Sequence, residues 1–411
     1  MGAMVANPHE PMRWVSVSSE QVDTRHAAQE AASAAAAGLD GAAPDVAFVF
    51  FSPHHRARAV DLVEAVADTL LPRHWIGCSA GGIIGGGHEV EERPGLSITA
   101  ARLPGVDVRT FRLDATDLPD PDAPPRAWDG ALGVPASERP HFVVLADPFS
   151  FSADDLVRGL DYAYPASTKA GGLASAGDRP GQNVLVVDGD QLRSGAVGLA
   201  LTGAIAVDTI VAQGCRAIGS PMRVTRAQDN LIVELDGRPP LEVLRELLPR
   251  LSDRDQRLAR SALFLGVATD PLVDEPAHDA YLIRNILGVS PDNGALAVGD
   301  EPRAGQSVRF HLRDALASAE DLEGAMGRYT EHVLARPGSS RPAGALLFSC
   351  MGRGQNLYGR PDHDTDLFRE KIGDVPLGGF FANGEIGSVG GTTHLHGFTS
   401  SFVLFRAPGG A

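Results

Sequence analysis

One order of segments recurs along this chain and limits the folds open to it more than any single motif does. Asp45-Val-Ala-Phe-Val-Phe-Phe51 predicts a buried strand, which Ser52-Pro53 breaks. Arg56 to Leu71 follows with Val60, Val63, Ala67 and Leu70 at helical spacing, then Trp75-Ile76 and the small-residue run Gly77 to Gly87. Two alternating segments, Leu96 to Leu103 and Val106 to Leu113, flank Pro104-Gly105 and predict a hairpin. The order then repeats. His141 to Ala146 reads as a strand, Asp147-Pro148 as its break, Ala153 to Tyr162 as a helix and Gly171 to Gly177 as the small-residue run. Ala196 to Leu201 and Ile205 to Gln213 form the matching hairpin about Thr202-Gly203. Pro53 to Pro148 and Gly77 to Gly172 share one offset (148 − 53 = 172 − 77 = 95), which predicts a duplicated β-α-β-β-β unit.

A looser third copy closes the chain, with strand Gly344 to Cys350, helix Asp366 to Ile372, small-residue run Gly378 to Gly387 and strand Thr399 to Phe405. Before it, helix is expected over Leu241 to Leu251, strands over Ala262 to Ala268, Tyr281 to Leu287 and Ser307 to Leu312, and a long helix over Asp314 to Leu334. This region leaves room for a degenerate fourth copy. A further helix, His26 to Ala37, precedes the first copy and stops at Gly38 and Gly41. The fold expected is α+β, two related domains of repeated β-α-β-β-β units whose mixed or antiparallel sheets carry helices on their faces. The divisions expected are an N-terminal segment, 1–44, and domains at 45–240 and 241–411.

Composition removes several classes of function. Lys plus Arg is 36 and Asp plus Glu 52, a net charge of −16 that argues against nucleic acid or anionic membrane as partner. Lys169 and Lys371 are the only lysines; Ala170 and Ile372 follow them, so there is no phosphate-binding loop of the Walker type. Three scattered cysteines, Cys78, Cys215 and Cys350, make neither a disulfide framework nor a four-cysteine zinc site. Met1 to Trp14 has no apolar core of a secretion signal, and Gly195 to Val207 is shorter than the ~18 residues of a spanning helix, so a cytoplasmic protein is expected.

Several segments carry candidate chemistry. Gly77-Cys78-Ser79-Ala80-Gly81 has the spacing of a nucleophile elbow, but that motif needs a helix after its serine, and the glycines to Gly87 disfavour one. His394-Leu395-His396 puts two imidazoles on one strand face without a third ligand at motif spacing. Asp362-His363-Asp364-Thr365-Asp366 opens like a calcium loop, yet Leu367 and Gly373 stand where the turn glycine and bidentate glutamate belong. No metal and no cofactor are expected. Cys350, at a strand end near Arg353, is either a reactive thiol or a small buried hydrophobe. Arg284-Asn285, Arg313, Arg353, Asn383 and Glu385 fall at strand ends or glycine-flanked turns. An arginine in such a place needs an internal carboxylate or a bound anion.

Five stretches together resemble the FIST family: Gly214-Cys-Arg-Ala-Ile-Gly219, Leu235-Asp-Gly-Arg-Pro-Pro240, Leu346-Leu-Phe-Ser-Cys-Met-Gly-Arg-Gly354, Val375-Pro-Leu-Gly-Gly-Phe-Phe-Ala-Asn-Gly-Glu-Ile-Gly387 and Leu395-His-Gly-Phe-Thr399. The resemblance runs over roughly 45 to 405 and is most specific in the last third. It implies a FIST N-terminal and a FIST C-terminal domain, 45–240 and 241–411, and a sensory, small-ligand-binding role for which amino acids have been suggested. It brings no catalytic set. With only Arg406 to Ala411 beyond the last strand, the expectation is a standalone member that signals through a separate protein.

Glycine-rich strand ends permit close backbone approach to a ligand. The site expected therefore has Arg284, Arg313 or Arg353 on a ligand carboxylate, and Asn383 and Glu385 on an amino or amide group. Asn285 lies beside Arg284, and Cys78, Ser79, Ser175 and Cys350 line the wall. The alternatives are a hydrolase with Cys350 or Ser79 as nucleophile and His394 or His396 as base, and an interaction scaffold.

Overall fold

A computed structural model describes residues 10–120, 122–270, 273 and 280–409. The chain divides into two compact units. The larger holds the described residues up to Val211, Glu323–Leu395 and those from Thr399 onward; the smaller holds Ala212–Leu322 and His396–Phe398.

The larger unit is α+β. Its strands in chain order are β1 (Arg13–Ser19), β2 (Val46–Phe51), β3 (His74–Ser79), β4 (Gly82–Gly85), β5 (His88–Glu91) and β6 (Leu96–Arg102). Next come β7 (Val106–Leu113), β8 (His141–Ala146), β9 (Lys169–Leu173), β10 (Leu185–Val187), β11 (Asp190–Leu192), β12 (Ala196–Gly203) and β13 (Ala206–Ala212). The smaller unit carries β14 (Cys215–Gln228), β15 (Leu231–Leu235), β16 (Leu263–Ala268), β17 (Tyr281–Val289), β18 (Leu296–Val298) and β19 (Ser307–Arg313). The chain ends through β20 (Gly344–Cys350), β21 (Leu377–Ala382), β22 (Glu385–Val389), β23 (Thr392–His396) and β24 (Ser400–Arg406).

Three six-stranded sheets follow one plan: β1-β6-β2-β3-β10-β11, β7-β12-β8-β9-β22-β23 and β13-β24-β20-β21-β4-β5. At each centre lies a parallel pair, β2 with β3, β8 with β9 and β20 with β21. Joining parallel strands requires a crossover. The helices Ala59–Leu70, Ala153–Ala163 and His363–Ile372 lie in those connections. Each sheet ends on a hairpin supplied by another stretch of chain, so the three are interlaced in a ring.

The pairing corrects the two expected hairpins. β6 has β1 on one edge and β2 on the other, so none is left for β7, which pairs with β12. β12 is likewise filled by β7 and β8, and β13 lies beside β24. Pro104-Gly105 and Thr202-Gly203 are therefore crossings between sheets. The crossings touch, the Ala204 N–H donating to the Gly105 carbonyl at 2.9 Å.

Side-chain alternation explains why the central strands are apolar throughout. Phe48 and Phe50 of β2 share a core with Val143 and Leu145 of β8 and Leu346 and Phe348 of β20. Ala47, Val49 and Phe51 point the other way, toward the helix Thr24–Gly38, which buries Ala27, Ala28, Ala31, Ala32 and Ala35, and toward Ala59–Leu70. Phe142, Val144 and Ala146 do the same beneath Ala153–Ala163.

In the smaller unit the strands close as a barrel, β14-β15-β18-β17-β16-β19. Its pairs are all antiparallel, so the stretch with room for a fourth β-α-β-β-β copy holds a different architecture. Closure removes the exposed sheet edge that a lone six-stranded sheet would carry. Among the described residues, no helix is long and apolar enough to cross a membrane.

Candidate functional site

At one register position all three parallel pairs use a glycine. Gly77 faces Val49, Gly171 faces Val144 and Gly379 faces Leu347. A Cβ there would stand 2.2, 1.8 and 1.9 Å from the facing carbonyl oxygen, and Gly171 and Gly379 have φ of +150° and +144°. Only glycine tolerates that approach. The structural match to Gly77 is thus Gly171, at 171 − 77 = 94, one residue short of the offset between the prolines.

The strands so constrained end close together. The Ser175 hydroxyl donates to the Phe381 carbonyl and accepts the Gly81 N–H at 2.9 Å, and the Ser175 N–H donates to the Ser79 carbonyl at 3.3 Å. One side chain thereby ties the ends of β3, β9 and β21. Ser79 is fully buried, its Oγ accepting the Val184 N–H at 2.9 Å. It is followed by strand β4 instead of the helix a nucleophile elbow needs. Cys78 is fully enclosed, and burial pushes its thiol well above the usual range.

Cys350, at the end of β20, is half-buried, and Met351 beside it is 43% exposed. The Cys350 N–H donates to the Thr399 carbonyl at 2.9 Å, and its own carbonyl accepts the Arg353 N–H at 2.8 Å. Arg353 is wholly buried. Its Nε donates to Asp364 Oδ2 at 2.9 Å and its Nη2 to the Tyr358 hydroxyl at 2.5 Å. Asp364 also accepts from Ser400 Oγ and from His363 Nδ1, whose ring stacks on Tyr358. Burial opposes ionisation of Asp364, but Arg353, His363 and Ser400 outweigh it and hold the carboxyl well below the usual range.

Across this ion pair lies Glu89 of β5. Its Oε1 accepts the Asp364 and Thr365 N–H groups, both at 3.1 Å, at the start of the helix His363–Ile372. Its Oε2 is buried with no hydrogen-bond partner among the described residues. Burial first, then the charge of Asp364, pushes the Glu89 carboxyl up to about 8. On the other side, Glu385 Oε2 accepts the Thr399 N–H at 3.1 Å and hydroxyl at 2.7 Å. Thr399 and Ser400 thus stand between two buried carboxylates. Asn383 is exposed, and its N–H donates to the Leu173 carbonyl at 3.0 Å.

Cys78, Ser79, Ser175, Cys350, Arg353, Asn383 and Glu385 all lie in the larger unit. Arg284, Asn285 and Arg313 lie in the barrel unit. There Arg284 Nε donates to Asp300 at 2.7 Å, Asn285 is exposed, and the Arg313 guanidinium covers the Phe398 ring at 5.1 Å. The two candidate bases are divided as well, His394 in the larger unit and His396 in the smaller. Sequence reasoning missed Glu89, Tyr358, Asp364, Thr399 and Ser400. The signal nearest to them was the acidic run at 362–366: Asp362 accepts the Glu89 N–H at 2.6 Å and Asp364 serves Arg353. Among the described residues no cluster of His, Cys, Asp and Glu could hold a metal ion.

Residues 45–238 match the FIST N domain and residues 240–388 the FIST C domain. The chain belongs to the FIST family. FIST domains are sensory, ligand-binding domains of signalling proteins. An uncharacterised protein of Mycobacterium tuberculosis strain H37Rv is 40% identical over 387 residues, 93% of this chain and 97% of its own length. One from Mycobacterium bovis is 38% identical over the same share of this FIST protein and 96% of its own. An F-box/LRR-repeat protein of Arabidopsis thaliana is 27% identical over 28% of the chain and 22% of its own. A cyanuric acid hydrolase from A. caulinodans covers 96% of this chain and 99% of its own at 9% identity, but a TM-score of 0.33 is too low to bear on fold or chemistry.

Proposed function

We propose that this protein is a small-ligand sensor, its ligand an amino acid or other small carboxylate held over the strand ends of the larger unit. The observation that carries the reading is the meeting of three strand ends at Ser175, with the partly open Cys350 paired to Ala382, the residue after the Phe381 that Ser175 bonds. Ligands of α/β sheets characteristically bind outside the carboxyl ends of parallel strands. In this reading Cys350 and Asn383 form the exposed rim, Ser79, Ser175, Cys78 and Glu385 build the wall beneath, and Arg353, engaged by Asp364, orients the Cys350 turn. The three sheets are read as copies of one duplicated unit. The signal passes to a separate protein.

The cysteines provide the test. Cys78 and Cys215 are 0% and 2% exposed, so Cys350 is the thiol open to a small alkylating reagent. Amino acids and small carboxylates are first screened by thermal shift, where a ligand at 100 times its Kd adds ~2.7 kcal/mol. A compound that stabilises the protein is expected to slow iodoacetamide labelling of Cys350. Stabilisation with unchanged labelling would place the ligand elsewhere, and no shift from any compound would count against the sensor reading.

A further inference from the structure

We propose that a groove between β1 and the helix His363–Ile372 is a second small-molecule site, suited to a carboxylate with an apolar body of about ten heavy atoms. The cavity measures ≈ 270 Å³, and its lining includes Trp14, Ser16, Thr365, Phe368, Arg369 and Pro376. That volume sits just below the range of drug-sized pockets, so it limits the ligand's size. The inference does not rest on the strand-end site, since none of the residues assigned to that site lines this groove.

Three features favour a carboxylate. The groove is amphipathic, with Phe368 and Pro376 beside Ser16 and Thr365, so an apolar body and a polar head each find a surface. Two lining residues also bury a polar atom with no hydrogen-bond partner among the described residues, the Trp14 indole Nε1 and the Thr365 hydroxyl. Buried polar atoms are rarely left so. Both can donate, and threonine in a helix divides between two χ1 rotamers, so its hydroxyl is able to turn toward an acceptor.

The third feature is charge. Arg369 is half exposed and reaches the groove past Gly87, whose missing Cβ would stand 3.8 Å from its Nη1. Arg341 Nη1 lies 3.7 Å from the corresponding point on Gly373, a lining residue. Arg369 pairs with Asp366, but Arg360 holds the same carboxylate at 2.8 Å. Arg369 can therefore turn to a ligand without leaving Asp366 unpaired. Asp374, also in the lining, is exposed and solvated, so its repulsion of an anion is screened. The charged side chains of the lining are Arg369 and Asp374, and Arg341 beside Gly373 adds a second guanidinium, so this rim departs from the acidic balance of a chain of net charge −16.

Isothermal titration with phenylacetate, isovalerate and the neutral phenylacetamide tests the proposal. Saturable binding of at least one acid is expected, with phenylacetamide at least ~10-fold weaker than phenylacetate. Arg369→Ala, a change at a half-exposed site, should weaken binding ~10-fold, and Val375→Trp, which fills the groove, should abolish it. Cys350→Ala should leave it unchanged. Absence of binding by both acids, equal affinity for the amide, undiminished binding in Arg369→Ala, or loss of binding in Cys350→Ala would each overturn it.

Discussion

The ends of the three sheets share a backbone plan and differ in how their polar groups are closed. Ser52, Asp147 and Cys350 each follow or end the central strand, and each donates its N–H to a carbonyl of the returning segment, Gly95, Gly195 and Thr399 respectively. In the first sheet Ser52 Oγ accepts the Gly95 N–H at 3.0 Å. In the second, buried Asp147 accepts from Asn183 Nδ2 at 2.9 Å and from the Ser150 hydroxyl at 2.6 Å. The third leaves a thiol half open and sets a fully buried ion pair behind it. The same scaffold thus carries a neutral seal, a carboxyl held by neutral donors, and an ion pair beside a half-buried thiol.

Breaking the third arrangement should cost most. Arg353→Ala strands Asp364 in the interior, and a loss of ~3–5 kcal/mol is expected in urea unfolding, since removing one partner of a buried pair leaves an uncompensated charge. A loss below about 1 kcal/mol would mean that water reaches Asp364 and that the third end is no more closed than a surface pair.

The carboxyl beside that pair sets a pH dependence. Glu89 is raised from 4.5 to about 8 in the folded protein. The folded state therefore binds a proton that the unfolded state releases above about pH 4.5. Its contribution is fully present below that value and is lost as pH rises to about 8, by up to ~1.4 kcal/mol per pH unit. Asp364 acts oppositely, its contribution disappearing only in acid. In Glu89→Gln the decline between pH 5 and 8 should flatten; an unchanged profile would mean that Glu89 is ionised throughout.

In the second sheet, Asp147→Ala deprives Asn183 and Ser150 of an acceptor, with ~1–3 kcal/mol lost. In the first, Ser52→Ala leaves one backbone N–H unserved and should cost about 1 kcal/mol in the same unfolding assay. Equal losses at the three positions would remove the distinction drawn between the ends.

Much of the secondary structure was legible. The strands at 46–51, 141–146 and 344–350 and the helices after the first two breaks follow from uninterrupted apolar runs and helical spacing. β1 was not legible, because Ser16, Ser18 and Ser19 dilute its apolar pattern. In the short hairpin β4–β5, the first strand was hidden within the small-residue run Gly77 to Gly87 and the second follows directly after it. Of the site, Arg353 and Glu385 stood out as charges at strand ends or in glycine-flanked turns. Their environment did not: Glu89 lies 275 residues before Asp364 and meets it through backbone N–H groups that carry no sequence signature.

What the sequence determined by itself is which segments form strands and where glycine is required, since local sterics and apolar periodicity act over a few residues. The tertiary structure alone decided which edge each strand takes. β6 and β7 are separated by only a short turn, yet each pairs with other strands because both edges of β6 are filled. It also decided that Arg353 has an internal carboxylate as partner, because a buried guanidinium is stable only where the completed fold brings an anion to it.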